Sequence, residues 1–134
     1  MRKTSEILTE ARAIIADPAQ WTQEALARDK DGNMVAFSDP AAVCFCAAGA
    51  IGKASGAVID DRGDWDSSDY TTASLYLAKA AFRLADTSAY TGINDGTIKL
   101  TDHRDLSAHE SILLVLDNAI GLAKFMEGDP CSAS

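Results

Sequence analysis

The ten residues AVCFCAAGAI, from Ala42 to Ile51, carry no charge. A run of this kind has to be enclosed by the rest of the molecule, because neither face offers water anything to bind. Ser38-Asp39-Pro40 stands in front of it and reads as a helix start, with Asp39 as the cap and Pro40 at the first helical position. The expected helix continues to about Lys53, and Gly56 is available to terminate it. On such a helix Cys44 and Cys46 point about 200° apart, so they cannot face one metal or one substrate. Cysteine packs as a small hydrophobe, and Cys46, Gly49 and Ala50 form a low ridge that lets another element approach closely. This segment is expected to be the central post of the fold.

The remaining elements follow from periodicity and punctuation. Ile7, Leu8, Ala11, Ile14 and Ile15 fall on one face of a helix over about 4–16, which Asp17-Pro18 stops. Its start, Met1-Arg2-Lys3, is basic like a signal peptide. Glu6, Glu10 and Arg12 interrupt any apolar stretch, however, so an amphipathic helix is the better reading. Asp31-Gly32-Asn33 between short apolar stretches indicates a β-hairpin with Leu26 and Val35 inward. A third helix over about 68–86 carries the stripe Tyr70, Ala73, Leu77, Ala81 and Leu84. Leu75, Ala78 and Phe82 widen it, which implies contact with more than one neighbour. A long connection over 87–106 leads to Ser107-Ala108-His109-Glu110, a capping box, and then to a closing helix with Ile112, Leu116, Ala119, Ile120 and Ala123 inward. The expected fold is mainly α: a single-domain bundle of about four helices with a small hairpin over 1–127, and a flexible tail over 128–134.

Twenty acidic residues against twelve basic ones give a formal charge of -8. That charge repels phosphate backbones, so direct nucleic-acid binding is not expected. No segment approaches the run of about 18 apolar residues that a membrane span needs. Three cysteines without framework spacing fit reduced thiols in a cytoplasm. A zinc site would need further ligands, and His103, His109 and Cys131 have no suitable spacing, so neither a metal nor another cofactor is expected. The aspartates of Asp60-Asp61-Arg62-Gly63-Asp64-Trp65-Asp66 depart from the EF-hand order and read as a solvated acidic loop.

Two groups of residues remain as candidates for function. A cysteine nucleophile would use Cys46 with His109 or His103 as base and Asn94 or Asp95 as orienter. Its apolar flanks argue against it, since they raise a thiol's pKa. A polar ligand could instead be held by Trp21, Gln23, Arg28, Asn94 and Asp95, none of which amphipathic periodicity demands. The competing role for this second group is structural bracing.

The same stretches resemble a family of small uncharacterised proteins found among bacteria and phages. Its pattern has W-T-Q-x-A-x-A-R-D, matched by Trp21, Thr22, Gln23, Ala25, Ala27, Arg28 and Asp29, with Gly32 nearby. A C-A-x-G-A segment is matched by Cys46, Ala47, Gly49 and Ala50, and an N-D turn by Asn94 and Asp95. The closing helix matches at Leu113, Leu116, Asp117, Ala119 and Ile120. The chain departs from the pattern at Glu24, where glycine is frequent, and at Ile93, where an aromatic is frequent. The resemblance spans roughly residues 5 to 125 and implies a domain type and a bacterial or phage setting, with no reaction attached. It selects Cys46 over Cys44. Gln, Cys, His and Asn are also the residue types of papain-like hydrolases, but here Asn94 precedes both histidines and the expected helix places no cysteine at its start.

These observations lead to a first expectation of a small acidic cytoplasmic protein-binding module, an accessory or inhibitory protein of a mobile element. It would meet an unidentified protein partner through the hairpin and the long loops, more as a binder than as an enzyme. A cysteine-dependent hydrolase or transferase and a small-molecule binder are the alternatives. The oligomeric state is not encoded legibly.

Overall fold

A computed structural model describes residues 3–57 and 68–128 of the chain. Helix α1 (Thr4–Ile15) forms where the apolar spacing requires it and buries Ile7, Leu8, Ala11 and Ile15. Burying each of Ile7, Leu8 and Ile15 contributes about 1.5–3 kcal/mol. Lys3 gives the helix no side-chain cap. Glu127, from the far end of the chain, supplies one by accepting from Ser5 N at 3.1 Å and from Ser5 Oγ at 2.6 Å. Asp17 accepts from Ala19 N, and Pro18 opens a short 3₁₀ turn that redirects the chain to Trp21.

The expected hairpin is present. Strands β1 (Ala27–Arg28) and β2 (Met34–Val35) pair antiparallel with Ala27 opposite Val35 and Arg28 opposite Met34. Asp29 Oδ1 accepts from both Asp31 N and Asn33 N, and Gly32 takes the left-handed conformation that the turn needs. Ala27 is fully buried and Val35 and Leu26 are half-buried.

The helix expected from Asp39 to Lys53 is corrected. Asp39 Oδ1 accepts from Ala41 N, making a turn in place of a cap. The chain then extends as a third strand, β3 (Cys44–Phe45), on the other edge of β1, giving the order β2-β1-β3. The reason is tertiary. Val43 N donates to Arg28 O, Cys46 N donates to Leu26 O, and Phe45 O accepts from Thr22 N, so the backbone of 43–46 finds partners on both sides. A β-branched and aromatic stretch with such partners gives up its weak helical preference. Helix α2 (Ala47–Ser55) begins only afterwards, capped by Cys46 itself and ended by Gly56 at φ 71°. The argument that Cys44 and Cys46 diverge by 200° on one helix therefore lapses, since neither lies inside one.

Helix α3 (Ser68–Ala85) buries Ala73, Leu77, Ala80 and Ala81, with Tyr70 and Leu84 half-buried. Leu75 and Phe82 stay outside, 53% and 60% exposed. The long connection contains a short helix, α4 (Tyr90–Asn94), that ends in a turn with Gly96 at positive φ. Helix α5 (Ala108–Met126) starts in the expected capping box, with Ser107 and Glu110 bonded reciprocally, and buries Ile112, Val115, Leu116, Ala119 and Ala123. The core lies where α1 meets α2 and α5, and α3 meets α5. The described residues thus make a mainly helical fold with five α-helices and a three-stranded antiparallel sheet. The acidic segment around Asp60–Asp66 and the tail beyond Gly128 lie outside the described residues.

Candidate functional site

Asn94, the last residue of α4, is 1% exposed and holds three separate stretches of chain together. Its Oδ1 accepts from Trp21 Nε1 at 2.9 Å and from Ala47 N, the first amide of α2, at 3.0 Å. Its Nδ2 donates to Thr22 O at 3.1 Å and to Asp95 Oδ1 at 3.0 Å. Its backbone oxygen accepts from Gln23 Nε2 at 3.1 Å, and Asp95 Oδ1 also accepts from Glu24 N at 2.9 Å. Two acceptor sites and two donors on the amide are all used, which is its full capacity.

Arg28 spends three of its five N–H donors nearby. Its Nε donates to Thr22 Oγ1 at 3.0 Å, Nη1 to Gly32 O at 3.0 Å and Nη2 to Gln23 O at 3.2 Å. The guanidinium therefore pins the hairpin turn to the segment 22–23. Trp21 gives its N–H to Asn94 and its ring to His109, with centroids 5.0 Å apart. The five residues Trp21, Gln23, Arg28, Asn94 and Asp95 thus lie in one bonded network, and the bonds run among themselves, to the Thr22 hydroxyl and to the backbone.

A pocket of about 290 Å³ opens beside this network, lined by Glu24, Leu26, Cys46, Ala48, Tyr90 and Asp95 among others. Glu24 sits at φ 61°, a left-handed conformation that costs a side-chain-bearing residue about 1–2 kcal/mol. The resembling pattern favours glycine at this position, and the backbone gives the reason. Cys46 reaches the pocket as the cap of α2, where its Sγ accepts from Gly49 N at 3.3 Å. The objection that no cysteine stands at a helix start is therefore corrected. Burial nonetheless pushes the Cys46 thiol up. The Gly49 and Ala48 amides pull it down by less, and the Asp95 carboxylate adds to the rise.

Neither histidine attends that sulfur. His109 Nε2 lies 2.7 Å from Ile15 O, so it donates to the end of α1 while its ring packs on Trp21. His103 is exposed in the loop before α5, where Leu100 and His103 form an isolated bridge. The network brings Cys46, Asn94 and Asp95 to one pocket without an imidazole. Cys44, on β3, points its Sγ towards Arg28 O at 3.9 Å, apart from Cys46. No group of three His, Cys, Asp or Glu residues suited to a metal occurs among the described residues.

Sequence reasoning missed Tyr90, which lines the pocket and shares a 2.6 Å hydrogen bond with Ser74, and whose phenol burial also pushes up. No spacing signal marks it. Reasoning also passed over Phe125 at the end of α5, 63% exposed, which lines a second groove with Arg83 of α3. The exposed Phe82 did have a signal, because it belonged to a stripe too wide for one neighbour. No described helix is long and apolar enough to cross a membrane.

Neither the curated proteins nor the solved structures contain a match to this chain. The model of a family of unknown function, DUF6197, matches residues 1–122, a span that takes in the hairpin, the Cys46 cap, the Asn94 brace and most of α5. The chain belongs to that family.

Proposed function

We propose that the protein is a protein-binding module and that its working surface is the outer side of α3 and α5. The observation that carries this reading is the exposure of Phe82 and Phe125 on two helices packed against each other. Aromatic side chains left in water on a rigid helical face are the usual anchors of an interface. The Asn94 amide, central to the polar residues that would otherwise suggest a ligand site, is by contrast fully used in holding the chain together. In the bacterial or phage setting that the resemblance implies, such a module acts in the cytoplasm as an accessory or inhibitory protein, by occluding or bridging its partner. The outer helical face replaces the hairpin and loops as the expected contact.

Site-specific photocrosslinking in the native host tests this. A photoreactive side chain placed at position 82 or 125 is expected to trap one defined protein in near-stoichiometric yield. One placed at Met34, which is also exposed, is expected not to. Equal trapping at all three positions, or none at 82 and 125, contradicts the reading.

A second reading is favoured by one observation, the placement of Cys46 at a helix start facing a pocket. In a cysteine-dependent hydrolase or transferase the thiol would give its proton to a base other than the two imidazoles, which do not line the pocket. The sulfur would bond to a substrate carbonyl carbon, and the bond from that carbon to the leaving group would break, the leaving group departing with a proton. This reading expects rapid alkylation of Cys46 in the folded protein at neutral pH. Persistent protection until denaturant is added rules it out. The third reading, a small-molecule binder at Trp21, Gln23, Arg28 and Asn94, would draw on the two Arg28 N–H donors that the network leaves over, and ligand-dependent thermal stabilisation is its test.

A further inference from the structure

A groove of about 520 Å³ runs between α3 and α5, lined by Arg83, Asp117, Asn118, Gly121, Leu122 and Phe125. Its charges are unbalanced. Asp117 is already neutralised by Arg12, whose Nε lies 2.6 Å from Oδ1 and whose Nη2 donates to Oδ2 at 3.3 Å. Arg83 has no such partner among the described residues. A protein of formal charge -8 therefore presents, at this groove, an unpaired guanidinium.

The walls supply the rest of a docking site. Phe125 and Leu122 give an apolar wall, and Phe82 stands exposed next to Arg83 in the chain. Gly121 leaves its part of the surface without a side chain, and a Cβ there would meet nothing within 4 Å. Asn118 Oδ1 is buried without a donor, so turning its amide out towards an incoming backbone N–H breaks no bond at that oxygen.

We propose that this groove docks a segment of a partner protein in which a carboxylate stands beside a large apolar side chain. The carboxylate pairs with Arg83, in the planar two-bond geometry that guanidinium and carboxylate share. The apolar side chain packs against Leu122 and Phe125, and the segment's backbone supplies the donor that Asn118 lacks. Charge complementarity selects this occupant. A basic segment meets the free guanidinium, and an acidic one is repelled elsewhere on the surface and accepted here. The inference rests on the protein-binding reading and names the partner's chemistry.

The test selects a phage-displayed library of random dodecapeptides on the purified full-length chain. Enriched peptides are expected to carry Asp or Glu within three residues of an aromatic or leucine. They are expected to bind Arg83→Glu and Phe125→Ala at least about tenfold more weakly than the wild type. Replacing the peptide's carboxylate by lysine should restore binding to Arg83→Glu and abolish it on the wild type. Arg83 and Phe125 are both exposed, and an unchanged unfolding midpoint confirms that each variant folds. No enrichment, enriched peptides without an acid, or undiminished binding to Arg83→Glu overturns the proposal. If photocrosslinking at positions 82 and 125 still traps a partner in that case, the protein-binding reading survives and only the acidic partner is lost. Concentration-dependent dimerisation that Arg83→Glu abolishes, with no peptide enriched, replaces the partner segment by a second copy and likewise overturns it.

Discussion

The Asn94 side chain accepts two hydrogen bonds and donates two, and each goes to a different residue. Replacing it by alanine leaves the Ala47 amide and the Trp21 indole N–H without acceptors inside the protein. Each stranded donor costs about 1–3 kcal/mol, so Asn94→Ala is expected to lose about 3 kcal/mol in urea unfolding. A loss below about 1 kcal/mol would mean that the amide is not a brace and is available to a ligand. Glu24 is the opposite case. Its backbone is in the glycine region, so Glu24→Gly relieves strain at some entropic cost and is expected to gain about 0.5–1 kcal/mol, read from the same unfolding curves. Cys46 is 6% exposed. In a Cys131→Ser background at neutral pH, Cys44 is expected to react first with a maleimide, and Cys46 only on unfolding, as peptide mass mapping would record.

At the scale of elements, the region from Asp39 to Ser55 is the most instructive. The sequence carried a legitimate helix start at Asp39-Pro40, yet the helix waits until Cys46. The local signal was sound and was outvoted by strand partners at Leu26, Arg28 and Thr22, all distant in sequence and invisible to a local pattern. The small-residue ridge was legible and correct in its consequence. A Cβ on Gly49 would stand 1.9 Å from Leu26 O, so the turn into β1 presses directly on α2. Gly49→Ala is expected to destabilise by about 3 kcal/mol or more, or to prevent folding, whereas Gly56→Asn at the helix end costs under about 1 kcal/mol, as thermal unfolding would show. The hairpin, α1, α3, the capping box and α5 were legible because periodicity and punctuation agreed along each. Helix α4 was not, being five residues long with no side-chain cap. The candidate residues Trp21, Gln23, Arg28, Asn94 and Asp95 were recognised as a set, but only the fold reveals that they satisfy one another.

On the scale of the whole molecule, buried acids of raised pKa make stability fall at alkaline pH. Burial holds the Cys46 thiol and the Tyr70 and Tyr90 phenols above their ordinary values. The unfolded chain releases those protons first. Their contribution is therefore intact below the thiol's ordinary value of 9.0 and is lost as pH rises through it and the phenol's 10.0. Urea midpoints are expected to fall with rising pH above that point, and less steeply for Tyr90→Phe. A slope unchanged in that variant would contradict the burial of the phenol. The proposed function puts the action on the outer side of α3 and α5, where Phe82 and Phe125 are exposed. The most direct measurement is the amount of partner that co-purifies from the native host with three forms: the wild type, Phe82→Glu/Phe125→Glu and Cys46→Ser. The expected result is full recovery with the wild type and Cys46→Ser, and loss of the partner from the double variant despite an intact fold. Recovery unchanged in the double variant but lost with Cys46→Ser would place the function at the pocket and contradict the account.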